Sequence, residues 1–273
     1  MKKPITLTIA GSDSGGGAGI QADIKTMSMN GVFPTSVITS LTAQNTLGIK
    51  EIYEISPKFI KAQLEAVLSD LYPKAVKIGM IKSKGLVGVI LEELIKYKVD
   101  NIVLDPIFSS TTGTTLNQNE TFKLIIDKLF PISSLITPNI PETREILNLI
   151  GEKIEINSKY DIEKSAFIIA NKYNTSILIK GGHGKEFAND YLYDISNDVG
   201  RWYYMEKIDN HNTHGTGCTL SSAITANLAK GLNLEDSVEK AKDYLTGAIS
   251  AKYDIGKGDG PLDHAYLMNI LFY

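Results

Sequence analysis

The 273-residue sequence has one cysteine, two arginines, one tryptophan and no long apolar run. A lone thiol, Cys218, excludes an internal disulfide framework and any metal site built from several thiolates, and it suits a reducing, intracellular setting. With Arg144 and Arg201 as the only guanidinium groups, an arginine cluster cannot be the anion-binding device. Charge of one sign is also scarce, since 28 basic against 31 acidic side chains leave a net charge of -3. That balance creates no broad field for nucleic acid or an anionic membrane, so a phosphate ligand has to be met locally. The opening Met1-Lys2-Lys3-Pro4 precedes an apolar run over residues 5–10 that is too short for a signal peptide and meets Ser12-Asp13 at once. No stretch approaches the ~20 apolar residues of a membrane span. These absences predict a cytoplasmic protein with neither nucleic acid nor membrane as partner.

Alternation is what the chain has in quantity. Hydrophobic residues make up 43% of it, enough for a large buried core. Short apolar runs alternate with stretches of 3.6-residue periodicity from end to end, which predicts an α/β fold of repeated βα units around a mostly parallel sheet. Strands are predicted over residues 5–10, 37–43, 75–79, 101–104, 134–137 and 176–180, with an antiparallel edge hairpin over 191–193 and 201–205. Helices are predicted over 18–30, 57–71, 83–97, 118–128, 161–173 and 234–253, after Glu142, and from the Gly215 turn to 230. Ser56-Pro57 reads as an N-cap and first-turn pair, because proline's missing N–H costs nothing there. No composition shift or linker divides the series, which predicts one domain over residues 1–273.

In an open parallel sheet, ligands bind beyond the carboxyl ends of the strands. Four such ends carry unusual chemistry, at residues 11–19, 105–113, 137–142 and 180–183, and the helix start Gly215-Thr216-Gly217-Cys218 joins them. Common nucleotide motifs are absent: Gly15-Gly16-Gly17-Ala18-Gly19 lacks the third glycine of the dinucleotide fingerprint, and nothing matches the phosphate loop. The glycine-rich turn reads two ways, as tight βα packing or as backbone brought close to a ligand. Asn212-Thr213-His214-Gly215-Thr216-Gly217-Cys218-Thr219 is more specific. Two glycines at a helix start expose successive amides, and the dipole adds about half a positive charge, a site for a phosphoryl group in transfer. Cys218 falls in the first turn, where its thiolate is favoured and could take a proton from an incoming hydroxyl. The same residues also read as a buried cysteine in a helix whose Ser221, Ser222 and Ala223 allow close packing.

Residues 11–23, Ala43-Gln44-Asn45-Thr46, Lys77-Ile78-Gly79-Met80, Thr137-Pro138-Asn139, Lys180-Gly181-Gly182-His183 and residues 212–220 form six ordered motifs. In order and spacing the chain resembles, over nearly its whole length, the hydroxymethylpyrimidine/phosphomethylpyrimidine kinases of thiamine biosynthesis. The same subgroup of the ribokinase-like superfamily includes bacterial pyridoxal kinases. The resemblance implies a ribokinase-like three-layer α/β/α sandwich with a short lid loop, assembled as a homodimer. It further implies ATP- and Mg2+-dependent phosphorylation of a small heterocyclic alcohol, 4-amino-5-hydroxymethyl-2-methylpyrimidine, and a second transfer to its monophosphate. Phosphorylation of pyridoxal or pyridoxine is the alternative, and a non-catalytic nucleotide or vitamer sensor is a third reading.

By position, the resemblance makes Cys218 the catalytic base, with Gly215, Thr216, Gly217 and Lys180 at the transferring phosphate. Gln44 should hydrogen-bond the pyrimidine, since its amide both donates and accepts. Gly11, Asp23, Met80 and Ile107 complete that pocket. Asn139, Gly182, Thr213 and Lys180 go with the nucleotide, and Asp105 and Glu142 with magnesium, directly or through water. Plainer readings stand beside these: Gln44 tying down a strand end, Asp23 and Glu142 as helix N-terminal charges, Met80 as core, Asp105 as a turn former, Lys180 as a solvated lysine. His183 and His214 are expected to support loops rather than touch a ligand. The chain departs from the family at the lid, where Ile107-Phe108-Ser109-Ser110-Thr111-Thr112-Gly113 lacks both the usual lysine and the cysteine of some pyridoxal kinases. Phe108 either stacks on the heterocycle or anchors the loop in the core.

Overall fold

The computed structural model describes residues 2–108, 119–181 and 189–268. In chain order the elements are β1 (Ile5–Asp13), α1 (Gly19–Met29), β2 (Phe33–Asn45), β3 (Gly48–Glu54), α2 (Pro57–Asp70), β4 (Ala75–Ile78), α3 (Lys84–Lys96), β5 (Ile102–Leu104) and α4 (Asn119–Leu129). Then follow β6 (Leu135–Ile136), α5 (Ile140–Ile150), α6 (Lys159–Tyr173), β7 (Ser176–Ile179), β8 (Asp190–Asp194), β9 (Val199–Tyr203), α7 (Thr216–Ala229) and α8 (Leu234–Ser250). The strands form one sheet in the order β3-β2-β1-β4-β5-β6-β7-β8-β9. From β2 to β7 every pairing is parallel, and the two edges, β3 and the β8–β9 hairpin, are antiparallel.

Local chemistry explains most boundaries. The Ser56 hydroxyl accepts from the Phe59 N–H at 3.3 Å and Pro57 is the first residue of α2. Asn139 and Glu142 close a reciprocal capping box at the start of α5, and Ser158 and Asp161 do so for α6. The strands of the centre bury both faces, and their alternation sorts two cores. Ile102 and Leu104 of β5, with Ile177 and Ile179 of β7, face α2 to α6, whereas Val103 and Leu178 face α7 and α8. β3 was not foreseen. Its sequence, Gly48-Ile49-Lys50-Glu51-Ile52-Tyr53-Glu54, is a largely exposed edge strand, so no buried face writes a clean period-two signal. Among the described residues, no helix is long and apolar enough to cross a membrane.

One lane of the sheet is polar. On β1 and β4 the residues facing away from the first core include Thr6, Thr8 and Lys77, all fully buried. Over them lie α1 and α7, which approach closely because α7 is made of small residues. This lane runs directly beneath the start of α7.

Candidate active site

Gly215 sets the site. It caps α7 with φ 87°, a left-handed conformation, and a Cβ there would collide with the Gly17 carbonyl. The Thr216 N–H and hydroxyl both turn back to the Thr213 carbonyl, at 3.2 and 2.7 Å. No side chain caps the helix, so the Gly217 and Cys218 amides point along the axis without an intrahelical partner. Gly217 matters for access: a Cβ built there lies 3.4 Å from both Asp105 Oδ2 and Lys180 Nζ. The ends of β5 and β7 therefore converge on the helix start, as the carboxyl-edge rule requires.

Cys218 is 8% exposed and faces the polar lane. Burial pushes its thiol up, and the Asp23 and Asp105 carboxylates push the same way, against the Lys77 ammonium and the Gly19 N–H. The helix start alone therefore does not favour the thiolate; the expectation that the Gly215 to Gly217 amides and magnesium favour it when ATP is bound is a separate one. Desolvation beside two carboxylates works against the thiolate there.

Asp23 also differs from expectation. It was placed in the substrate pocket, yet it is fully buried, with both oxygens accepting from Lys77 Nζ at 3.1 and 3.0 Å. Thr8 Oγ1 donates to it at 2.5 Å and Ser222 Oγ, one turn beyond Cys218, at 2.7 Å. A carboxylate so enclosed supports Cys218 from below and has no edge left for a ligand. Its partner Lys77 carries a raised pKa: burial works against its charge, and the Asp23 carboxylate overcomes it. A lysine in the otherwise apolar strand Ala75-Val76-Lys77-Ile78 was the signal for this pair, and it was passed over.

On the other side of α7, Lys180 Nζ binds Asp105 Oδ1 at 2.7 Å, and Thr137 Oγ1 donates to the same oxygen at 3.1 Å. Asp105 and Glu142 together outweigh burial and raise the Lys180 pKa. Glu142 accepts the Asn139 N–H at 2.8 Å and the Phe108 N–H as well. Burial, helped by Asp105 and opposed by Lys180, pushes its carboxyl up to about 7. Asn139 gives its side-chain oxygen to the Glu142 N–H. Thr213 is exposed and contributes its carbonyl to the helix start.

Gly11 and Met80 lie together at the end of β1, and Gln44 stands beside His214. A Cβ on Gly11 would stand 2.7 Å from Met80 Cε, and Gln44 Nε2 lies 3.0 Å from His214 Nε2. Ile107 is half-buried, with its N–H on the Asp105 carbonyl. Phe108 packs on Phe122 with ring centroids 5.0 Å apart, so it anchors the loop in the core. Asp13 is a second residue that sequence reasoning overlooked. Its carboxylate accepts from the N–H groups of Gly15, Gly17 and Ala18 and so shapes the glycine-rich turn. An aspartate heading Ser-Gly-Gly-Gly was the available signal. Gly182, His183 and Ser109 to Gly113 of the lid lie outside the described residues.

A model of the phosphomethylpyrimidine kinase family matches residues 13–263. The hydroxymethylpyrimidine/phosphomethylpyrimidine kinase of Haemophilus influenzae is 41% identical over 261 residues, which cover 94% of this chain and 95% of that protein. The solved phosphomethylpyrimidine kinase of Clostridium difficile superposes with a TM-score of 0.80 at 42% identity, over 90% of this chain and 100% of that one. The Bacillus subtilis pyridoxal kinase, solved as an ADP complex, superposes with a TM-score of 0.88 at 31% identity, over 97% and 99%. The fold is ribokinase-like, and the protein is an enzyme, a phosphotransferase that belongs to the phosphomethylpyrimidine kinase family.

Proposed function

We propose that the chain transfers the γ-phosphoryl group of ATP to the hydroxymethyl oxygen of 4-amino-5-hydroxymethyl-2-methylpyrimidine, and then a second one to the monophosphate. The observation that carries this reading is the helix start at Gly215, kept free of side chains between two buried lysine–aspartate pairs. In the step itself the alcohol proton passes to the Cys218 sulfur, held as thiolate, and the alcohol oxygen bonds to the γ-phosphorus. The bond from that phosphorus to the bridging oxygen breaks, and ADP leaves with the electron pair. Such transition states are loose, with charge spread over the equatorial oxygens, so positioning and charge supply most of the acceleration. The Gly217 and Cys218 amides and the Lys180 ammonium meet that charge. Gln44, above Gly11 and Met80, reads the heterocycle by donating and accepting along one amide edge.

Cys218 has to lose its proton before it can take one. Lys77 is fixed beneath it, so the adjustable charge is at Asp105. A cation arriving with the nucleotide would compensate the Asp105 carboxylate and remove one of the groups that hold the thiol up, so that its proton can leave to solvent. Among the described residues, no three or more His, Cys, Asp or Glu side chains cluster to hold a metal. Asp105 and Glu142 nevertheless fit Mg2+, which binds through one or two carboxylates plus phosphate oxygens. Burial raises the Glu142 pKa and the Asp105 carboxylate adds to it, so a cation between them would meet two acidic groups. When bound, Mg2+ would neutralise charge on the phosphates. The unbroken sheet from β3 to β9 supports reading the chain as one domain.

Phosphorylation of pyridoxal or pyridoxine is the second reading, favoured by the TM-score of 0.88 to pyridoxal kinases against 0.80 to the phosphomethylpyrimidine kinase. Incubation with ATP and Mg2+ against the pyrimidine alcohol, its monophosphate, pyridoxal and pyridoxine, read by product mass, decides between them. The expected products are the pyrimidine monophosphate and diphosphate. Exclusive conversion of the B6 vitamers would overturn the assignment.

A further inference from the structure

His214, expected only to support a loop, makes two contacts with one atom. Its Nε2 lies 3.1 Å from Asp13 Oδ2 and 3.0 Å from the Gln44 side-chain amide. One ring nitrogen is either a donor or an acceptor, so the two neighbours constrain each other. Asp13 decides the matter. Its carboxylate already accepts three backbone N–H bonds, and these with His214 outweigh burial and hold its pKa low, so it is an anion that can only accept. Nε2 therefore carries a proton, in the neutral Nε2–H form or the imidazolium.

A protonated Nε2 demands an acceptor from Gln44. With the amide nitrogen turned to His214, two donors would face each other; with the amide oxygen turned to it, every role is met. The –NH2 group then points to Thr42 Oγ1, at the 3.3 Å position, and the Thr42 hydroxyl passes its own proton to the Ser12 carbonyl at 3.0 Å. Both outer positions of the amide are thus fixed from behind. What remains for a ligand is the inner edge, one C=O lone pair and one N–H, in a set order along the pocket.

We propose that His214, locked as a donor by Asp13, fixes the order of acceptor and donor that Gln44 presents, and so selects heterocycles carrying an amine beside a ring nitrogen. In the substrate pyrimidine the exocyclic amine is the neighbour of the hydroxymethyl carbon, and the ring nitrogen follows. An amide in the opposite order would match that pair only with the ring turned over, its hydroxymethyl group directed away from Cys218. His214 is then a positioning residue for specificity, acting through Gln44. The proposal rests on Gln44 reading the heterocycle.

His214→Phe keeps a ring against Gly17, whose Cβ would lie 2.5 Å from His214 Cδ2, and removes the donor. With the pyrimidine alcohol, KM should rise about five-fold, the worth of one neutral hydrogen bond, while kcat stays within about two-fold. With the analogue lacking the 4-amino group, KM should hardly move. His214→Gln, whose amide can donate at the same place, should restore KM to within about two-fold. In a Gln44→Ala background, His214→Phe should add nothing. Nitrogen-15 NMR of the ring in the unaltered protein should report a protonated Nε2. An unprotonated Nε2, an equal KM rise for the des-amino analogue, or additivity with Gln44→Ala would each overturn the orienting role. Should Gln44→Ala leave KM for the pyrimidine unchanged, the Gln44 reading falls and takes this proposal with it, a result separate from additivity.

Discussion

Two lysine–aspartate pairs flank Cys218, and they are built for different duties. Lys77 and Asp23 are completely sealed, at 0% exposure each, and Asp23 is further tied by Thr8 and Ser222. Lys180 and Asp105 keep an opening, with 16% of the Lys180 side chain exposed at the mouth of the helix start. Both lysines have raised pKa values, because in each case carboxylates outweigh burial. The sealed pair is a constant charge under the sulfur. The open pair can change partners, and beside it burial and the Asp105 carboxylate raise the Glu142 pKa.

The strongest way to break this comparison is at the sulfur between the two pairs. Cys218→Ala should lower kcat by about 10²- to 10⁴-fold with the fold intact, the usual range for a positioned base. Near-normal turnover by a folded variant would remove the base from the account. Next comes the sealed pair. Lys77→Met should cost about 3–5 kcal/mol in urea unfolding, because it strands the buried Asp23 carboxylate. The double variant Lys77→Met/Asp23→Leu should recover most of that loss, and failure to recover would mean that the lane is held by something other than the ion pair. Lys180→Met should cost less stability than Lys77→Met, since its site is open to water, but should lower kcat about 10²-fold and raise KM for ATP. Equal stability losses in the two variants would erase the distinction.

The smallest effect concerns pH. Glu142 has an ordinary pKa of 4.5 when unfolded and about 7 in the fold, so the folded state holds its proton more tightly. Its contribution to stability is complete below pH 4.5 and is lost as pH rises to about 7. Relative to the wild type, Glu142→Gln should therefore be close to neutral in acid and more stable above pH 7. Parallel stability curves for the two proteins across that window would contradict the raised pKa.

The same contrast explains what the sequence disclosed. Motifs at strand ends and helix starts, such as Asp105 and Gly215-Thr216-Gly217-Cys218, were legible because acid and glycine at those places have few structural uses. The parallel centre was legible because strands such as β5 and β7 are short apolar runs. Asp23 was misplaced and Lys77 left without a role for one shared reason: a polar residue inside a strand or helix does not name its partner, and these two are 54 positions apart. β3 escaped because half-exposed edge strands carry little periodicity. The charge state of Cys218 depends on its burial and on Lys77, Asp23 and Asp105, which helix position alone does not report.

The most direct measurement uses the single cysteine, which makes the rate of thiol alkylation by iodoacetamide against pH report on Cys218 alone. A pH titration of the protein should show a thiol that ionises above its ordinary value of 9.0, and addition of Mg2+ with a non-hydrolysable ATP analogue should move that transition downward. A thiolate already present at neutral pH without nucleotide, or a transition that ignores the analogue, would contradict a base whose charge is gated by the open pair.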